Sequence, residues 1–138
     1  MEACMKKVNL LDAVNTVEGL YRYKKVADMN GNVLSVVQVE NRVLNFHVHE
    51  KSDELFFVID GAFELETKEG LTELHEGELA VVPKNTLHRP VVKNLTKFLM
   101  VELAGTLNKE NSGVFYEEEN VSDRRNSYHS IVNASFGF

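Results

Sequence analysis

Residues 45–61 read NFHVHEKSDELFFVIDG. His47 and His49 stand one residue apart in a run that alternates like a strand, Glu54 follows, and an Asp-Gly pair closes the segment. On a strand, side chains at i and i+2 point the same way. His47 and His49 are therefore expected on one face, together with Val43 and Asn45. If that face is interior, two imidazoles sit side by side among apolar residues, and buried imidazoles need partners. A metal ion satisfies both at once, and neutral imidazole is a good ligand for Zn, Fe, Ni and Cu. Glu54 opens the next expected strand, so an antiparallel neighbour can bring its carboxylate beside the two rings. His88, in VVPKNTLHRP (residues 81–90), is the candidate for a fourth ligand. Three imidazoles and one carboxylate hold a divalent ion and leave positions open, as a catalytic centre requires and a closed structural site does not.

The flanking sequence has the texture of an all-β domain. Short runs rich in Val, Phe, Leu and Thr predict strands near 24–29, 33–40, 42–49, 54–60, 62–67, 71–75, 79–82, 86–92 and 97–103. Turn pairs separate them, among them Asn30-Gly31 and Asp60-Gly61. Asp60-Gly61 predicts a type I′ hairpin, because both central positions of that turn need positive φ. Many short strands at close spacing argue for a sandwich or barrel. In ELFFVID (54–60), Phe56 and Val58 lie on one side while Leu55, Phe57 and Ile59 lie on the other. Such a strand is covered twice, the second time by another sheet, by the N-terminal segment or by a partner subunit, which hints at a homodimer.

Residues 9–21 predict one amphipathic helix. Leu10, Val14, Val17 and Tyr21 share a face, Asn9 suits the N-cap, and Asp12 suits the positive end of the helix dipole. The domain expectation is a helix and lead-in over 1–23, a barrel over 24–104 and a polar C-terminal extension over 105–138, extended or partly disordered from about residue 111.

Composition bounds the function. A chain of 138 residues is one domain of ordinary size. Its net charge of −6, with lysines and arginines scattered, gives no electrostatic footprint for nucleic acid or a membrane surface. No apolar run approaches a membrane span. Cys4 is the lone cysteine and no secretory leader is visible, so a cytoplasmic protein is expected.

These residues resemble a known family. The pattern His-x-His-x4-Glu-x6-Gly, the first cupin motif, is met by His47, His49, Glu54 and Gly61. The second motif, Gly-x5-Pro-x-Gly-x2-His-x3-Asn, is met by Gly77, Pro83 and His88. The motifs are 15 residues apart, from Ala62 to Glu76. The chain thus resembles a small single-domain cupin of the conserved-barrel type (type 2) over about residues 8–113. The resemblance implies a double-stranded β-helix, or jelly-roll barrel, and one divalent transition metal (Zn, Mn, Fe or Ni) on His47, His49, Glu54 and His88. It also points to small cupins labelled sugar-phosphate isomerase-like. Three positions depart from the motifs: Asn41 and Asn85 stand where glycine is usual, and Val92 replaces the final Asn. The asparagines are mild changes, because Asn tolerates positive φ best among non-glycine residues.

Alternation makes Asn45, Phe56, Phe98 and Met100 candidate pocket walls. Glu102 shares a face with Phe98 and Met100, and reads either as a pocket carboxylate able to act as acid or base or, the favoured reading, as a strand-end surface residue. Arg89 is expected on the opposite face from His88, in a surface ion pair or at a rim. His75 is expected in solvent. Three functions stay open at this level: a metal-dependent isomerase of a sugar, sugar acid or keto acid, an iron-dependent oxygenase, and a non-enzymatic small-molecule or metal-binding module.

Overall fold

The computed structural model describes residues 4–106. One short helix and nine strands follow in order: α1 (Leu10–Asn15), β1 (Lys24–Met29), β2 (Asn32–Val39), β3 (Arg42–Val43), β4 (Glu54–Asp60), β5 (Ala62–Thr67), β6 (Gly70–His75), β7 (Leu79–Val82), β8 (His88–Val92) and β9 (Thr96–Leu103). They form two antiparallel sheets, ordered β1-β2-β9-β4-β7 and β3-β8-β5-β6. The expectation for residues 105–138 falls almost wholly outside the described residues.

Strand alternation builds the interior. Phe56 and Val58 from β4, Phe98 and Met100 from β9, and Phe63 and Leu65 from β5 meet in one buried cluster. Phe63 and Phe98 stack with centroids 4.9 Å apart. The second apolar face of β4 and β9 is also covered: Val14, Leu10 and Val17 pack with Leu99, Phe57 and Ile59. The N-terminal segment is therefore one of the layers that the two-faced strands required.

The helix is shorter than periodicity suggested. Asn9 does cap it, its side chain accepting from the Asp12 amide at 2.9 Å. It stops at Asn15 rather than 21, and the chain takes positive φ at Gly19 and Tyr21. The Gln38 side-chain amide on β2 donates to the carbonyls of Val14 and Val17, both at 3.1 Å. Those bonds tie the end of the helix to β2. Tyr21 leaves the helical face; its hydroxyl donates to the Glu40 carbonyl and Arg42 lies over its ring. Replacing Asn9 with Ala removes the cap bond and is expected to cost about 1 kcal/mol, measured by chemical denaturation.

Asp60-Gly61 is not a hairpin. β4 pairs with β7 and β9, while β5 pairs with β6 and β8, so the pair marks the corner where the chain crosses between sheets. Gly61 has φ +96, and Asp60 is not among the positive-φ residues. The type I′ geometry belongs to Asn30-Gly31, with φ 52 and 81, between β1 and β2.

The strand expected over 42–49 is regular only at Arg42–Val43. Val43 pairs with Val91, but His47 pairs with His88. Four steps on one strand match three on the other, so one extra residue is inserted between them, as in a β-bulge. The insertion reverses parity. Leu44 lies in the interior cluster, and Phe46 turns outward beneath Arg89. Val43 does not share the histidines' face as simple alternation had it.

Candidate metal centre

The four motif residues come from strand ends at one end of the sandwich. His47 and His88 exchange backbone hydrogen bonds at 3.0 Å each way. Glu54 is the first residue of β4 and His88 the first of β8. The loops beside them are tied together. The Asn85 amide donates to the His49 carbonyl at 2.8 Å, and the Lys84 amide to the Asp53 carboxylate at 2.9 Å. The Ser52 hydroxyl accepts from the Leu103 amide at 2.9 Å and donates to the Asp53 carbonyl at 2.6 Å. Asn41 and Asn85, which replace the usual glycines, hold φ 51 and 66.

His47, His49, Glu54 and His88 are all buried, and one ligand atom from each lies within 4.8 Å of the others. The ring centroids of His47 lie 5.0 Å from His49 and 4.5 Å from His88. Backbone carbonyls orient two of the rings. His47 Nδ1 faces the Asn45 carbonyl at 2.7 Å and His88 Nδ1 the Thr86 carbonyl at 2.8 Å. A carbonyl can only accept, so each Nδ1 carries the proton and each Nε2 is turned into the centre.

The electrostatics follow from burial and neighbours. Burial, followed by the nearby His88, lowers His47 to about 3, so its imidazole is neutral and its Nε2 offers a lone pair. Burial alone would raise the Glu54 carboxyl, but the adjacent His49 and His88 rings outweigh it and hold the group well below its ordinary value. Burial likewise opposes the charged form of His88, yet its hydrogen bond and charge contact with Glu54 leave its pKa raised. The His88 Nε2 to Glu54 Oε1 distance is 2.9 Å and the His49 Nε2 to Glu54 Oε2 distance 3.4 Å.

The donor set fits a divalent ion. His47 Nε2, His49 Nε2 and Glu54 Oε2 are buried without a hydrogen-bond partner among the described residues. Leaving three converging polar atoms unsatisfied costs free energy that one cation removes. Nitrogen and carboxylate donors together suit Zn, Mn, Fe or Ni.

The remaining candidates sort clearly. Phe56, Phe98 and Met100 belong to the interior cluster beneath the centre. Asn45 sits in the inserted segment; its backbone carbonyl, rather than its side chain, orients His47. Glu102 is not the surface residue that its strand-end position favoured: it is 4% exposed and its carboxyl lies against that of Glu54. Burial, then repulsion from Glu54, pushes Glu102 up to about 10. Arg89 does lie on the face opposite His88, but it is buried rather than superficial, bonded to Glu66 at 2.8 Å and stacked over Phe46. His75 is exposed and paired with Glu73. Among the described residues no helix is long and apolar enough to cross a membrane.

Comparison with known proteins agrees with this geometry. Residues 33–102 match the family model for the cupin domain. No curated protein matches the chain significantly. A cupin-2 domain protein from Shewanella frigidimarina is 27% identical, with TM-score 0.66 over 70% of this chain and 93% of that one. KdgF from a Halomonas species is 26% identical, with TM-score 0.53 over 59% of this chain and 76% of that one. A sugar phosphate isomerase of the cupin superfamily from Silicibacter pomeroyi is 21% identical, with TM-score 0.52 over 61% and 59%, a likeness of fold alone. With the family match spanning half its length and the sandwich shared with these structures, the chain belongs to the cupin domain family.

Proposed function

We propose that this cupin binds one divalent transition metal on His47, His49, Glu54 and His88 and uses it as a small-molecule metalloenzyme, isomerising a sugar, sugar acid or keto acid. The observation that carries this reading is the set of buried, unpartnered ligand atoms on His47, His49 and Glu54, gathered with His88 within 4.8 Å. Once bound, such an ion supplies Lewis-acid polarisation of a carbonyl or hydroxyl oxygen. The protein's own residues do the rest. The Asn45 and Thr86 carbonyls hold the His47 and His88 rings, and the Phe56, Phe98 and Met100 side chains keep water from beneath the centre. Isomerisation also needs a group that moves a proton. Glu102, buried beside Glu54, can hold one at its carboxyl oxygen. The named isomerase among the structural neighbours supports the class by analogy of fold only.

Elemental analysis of the purified protein tests the metal. About one transition metal per chain is expected, and none after reconstitution removes the reading. Anaerobic turnover of an aldose or ketose panel by the loaded protein tests the reaction class, since isomerisation needs no O2. We further propose a cytoplasmic homodimer. Leu79 and Val81, exposed on edge strand β7 at 56% and 52%, give a second copy an apolar row to cover. Light scattering checks the mass.

Affinity for the ion should depend on pH with a definite sign. The His88 pKa is raised, so below it the ring is doubly protonated and the ion must displace the Nε2 proton. Apparent affinity is expected to rise with pH, about tenfold per unit, and to flatten above that raised value. Calorimetric titrations across about pH 6 to 9, in buffers of different ionisation enthalpy, report the released proton.

A further inference from the structure

Strand β2 turns one polar residue into the sandwich. Val37 and Val39 lie in the interior cluster, while Leu34 and Val36 pack on the outer face. Alternation therefore points Ser35 inward. The register agrees. β9 lies between β2 and β4, and its Met100 pairs with Ser35 on one side and Phe56 on the other. Phe56, Met100 and Ser35 form one inward row, and Val33 pairs with Glu102 one row nearer the metal centre. The inward residues of β2 thus read Val33, Ser35, Val37, Val39: a valine row broken by one serine beside the centre.

Packing does not ask for that hydroxyl. Ser35 is 9% exposed, and no described residue hydrogen-bonds its side chain. Its two ladder neighbours offer nothing: Met100 is apolar, and Lys25 on β1 holds its ammonium on Asp28 at 2.7 Å. Asn45 Oδ1, on the segment that continues β3 of the facing sheet, is likewise buried without a partner among the described residues. Buried polar groups without partners are disfavoured, so both oxygens call for a group from outside the chain. An amide oxygen only accepts, whereas a serine hydroxyl donates and accepts. A ligand hydroxyl satisfies either one, while a carboxylate or keto oxygen cannot serve the amide oxygen.

The span sets the size of the ligand. Two strand spacings, about 10 Å, separate Phe56 from Ser35, and Glu54 stands about 7 Å further along β4, which puts the Glu54 and Ser35 backbones about 12 Å apart. Less the reach of the two side chains, that gap takes a chain of roughly five carbons. We infer that Ser35 is a specificity-determining residue of this cupin. Its hydroxyl binds a hydroxyl of an open-chain sugar or sugar acid whose other end lies at the metal centre, over the floor made by Phe56 and Met100. This rests on the metalloenzyme reading above and narrows it, setting aside keto acids that lack a chain of hydroxyls.

The test uses metal-loaded wild type, Ser35→Ala and Ser35→Val with two probes, glycolate and xylonate. Both probes present a carboxylate and an adjacent hydroxyl; only xylonate carries a further chain of hydroxyls. Ala removes the Ser35 hydroxyl. Val completes the valine row, fills the space above it and carries the test if Ala loosens the fold. Circular dichroism checks the fold, and calorimetry gives the affinities. Wild type is expected to bind xylonate more tightly than glycolate. Ser35→Ala is expected to lose about tenfold for xylonate and less than about threefold for glycolate. Ser35→Val is expected to bind the two probes alike. The ratio between the probes is read because a loosened barrel would weaken both together. Equal losses for both probes, no loss in Ser35→Ala, or a wild type that binds xylonate no better than glycolate overturns the role of Ser35 and leaves the metal centre standing. Loaded wild type that binds neither probe overturns the metalloenzyme reading itself.

Discussion

Replacing His47 and His49 together by alanine is expected to abolish stoichiometric metal binding while the sandwich still folds. Each histidine turns a buried, unpartnered Nε2 toward the centre. Removing two of four ligands leaves only Glu54 and His88, which already satisfy each other at 2.9 Å. A single ligand loss should lower affinity about 100-fold or more, and the double loss should take it below detection. The fold should survive because the interior cluster of Val37, Phe56, Phe63, Leu65 and Phe98 lies beneath the centre and does not include the histidines. Elemental analysis and far-UV circular dichroism on the same preparation separate the two consequences. A folded double variant that retains one metal per chain would falsify the assignment of these two ligands.

The ligand set was legible before the fold because its spacing is a linear property of the chain. His-x-His needs only a locally extended backbone, and the spacing from His49 to Glu54 spans one short loop. Asn41 and Asn85 were legible for a different reason. Among non-glycine residues Asn adopts positive φ at least cost, and both do so here. What the sequence did not reveal depends on partners distant along the chain. The extra residue between Val43 and His47 is visible only once the register with β8 is known. It changes which neighbours share the histidines' face without changing the face of the histidines themselves. The end of the helix is tied down by Gln38, more than twenty residues later, which donates to the Val14 and Val17 carbonyls. Glu102 looked like a surface residue because strand ends usually are exposed. Only the β4–β9 pairing brings it against Glu54.

Gly61→Ala is expected to be the most destabilising small substitution in the barrel. The motif glycine turns a corner between the sheets rather than a hairpin, and the corner runs under another segment. A Cβ added at Gly61 would meet the Leu95 carbonyl oxygen at 2.6 Å, Thr96 Cα at 3.1 Å and Thr96 Oγ1 at 3.2 Å. Two of those atoms are backbone and cannot rotate away. The Thr96 hydroxyl is already committed, donating to the Ala62 carbonyl at 2.8 Å, which pins β9 to the start of β5. Alanine must therefore push two strands apart as well as accept φ +96. Strain of this kind costs about 3 kcal/mol or more, which for a domain of this size is roughly a 15 °C fall in Tm. Gly77→Ala is the control. It shares the positive φ, at +85, but an added Cβ finds nothing within 4 Å, so its cost should stay near 1 kcal/mol. The difference between the two variants, read by thermal denaturation of the metal-free protein, isolates the close approach from backbone conformation; equal losses would show that the approach carries no energy. Metal affinity should survive Gly61→Ala at temperatures where the chain is folded. Gly61 follows Asp60 at one end of β4, and Glu54 stands at the other, about 20 Å away along the strand. Two parts of one short motif thus do separable work: Gly61 closes the sandwich, and His47, His49 and Glu54 at its far end belong to the candidate metal centre.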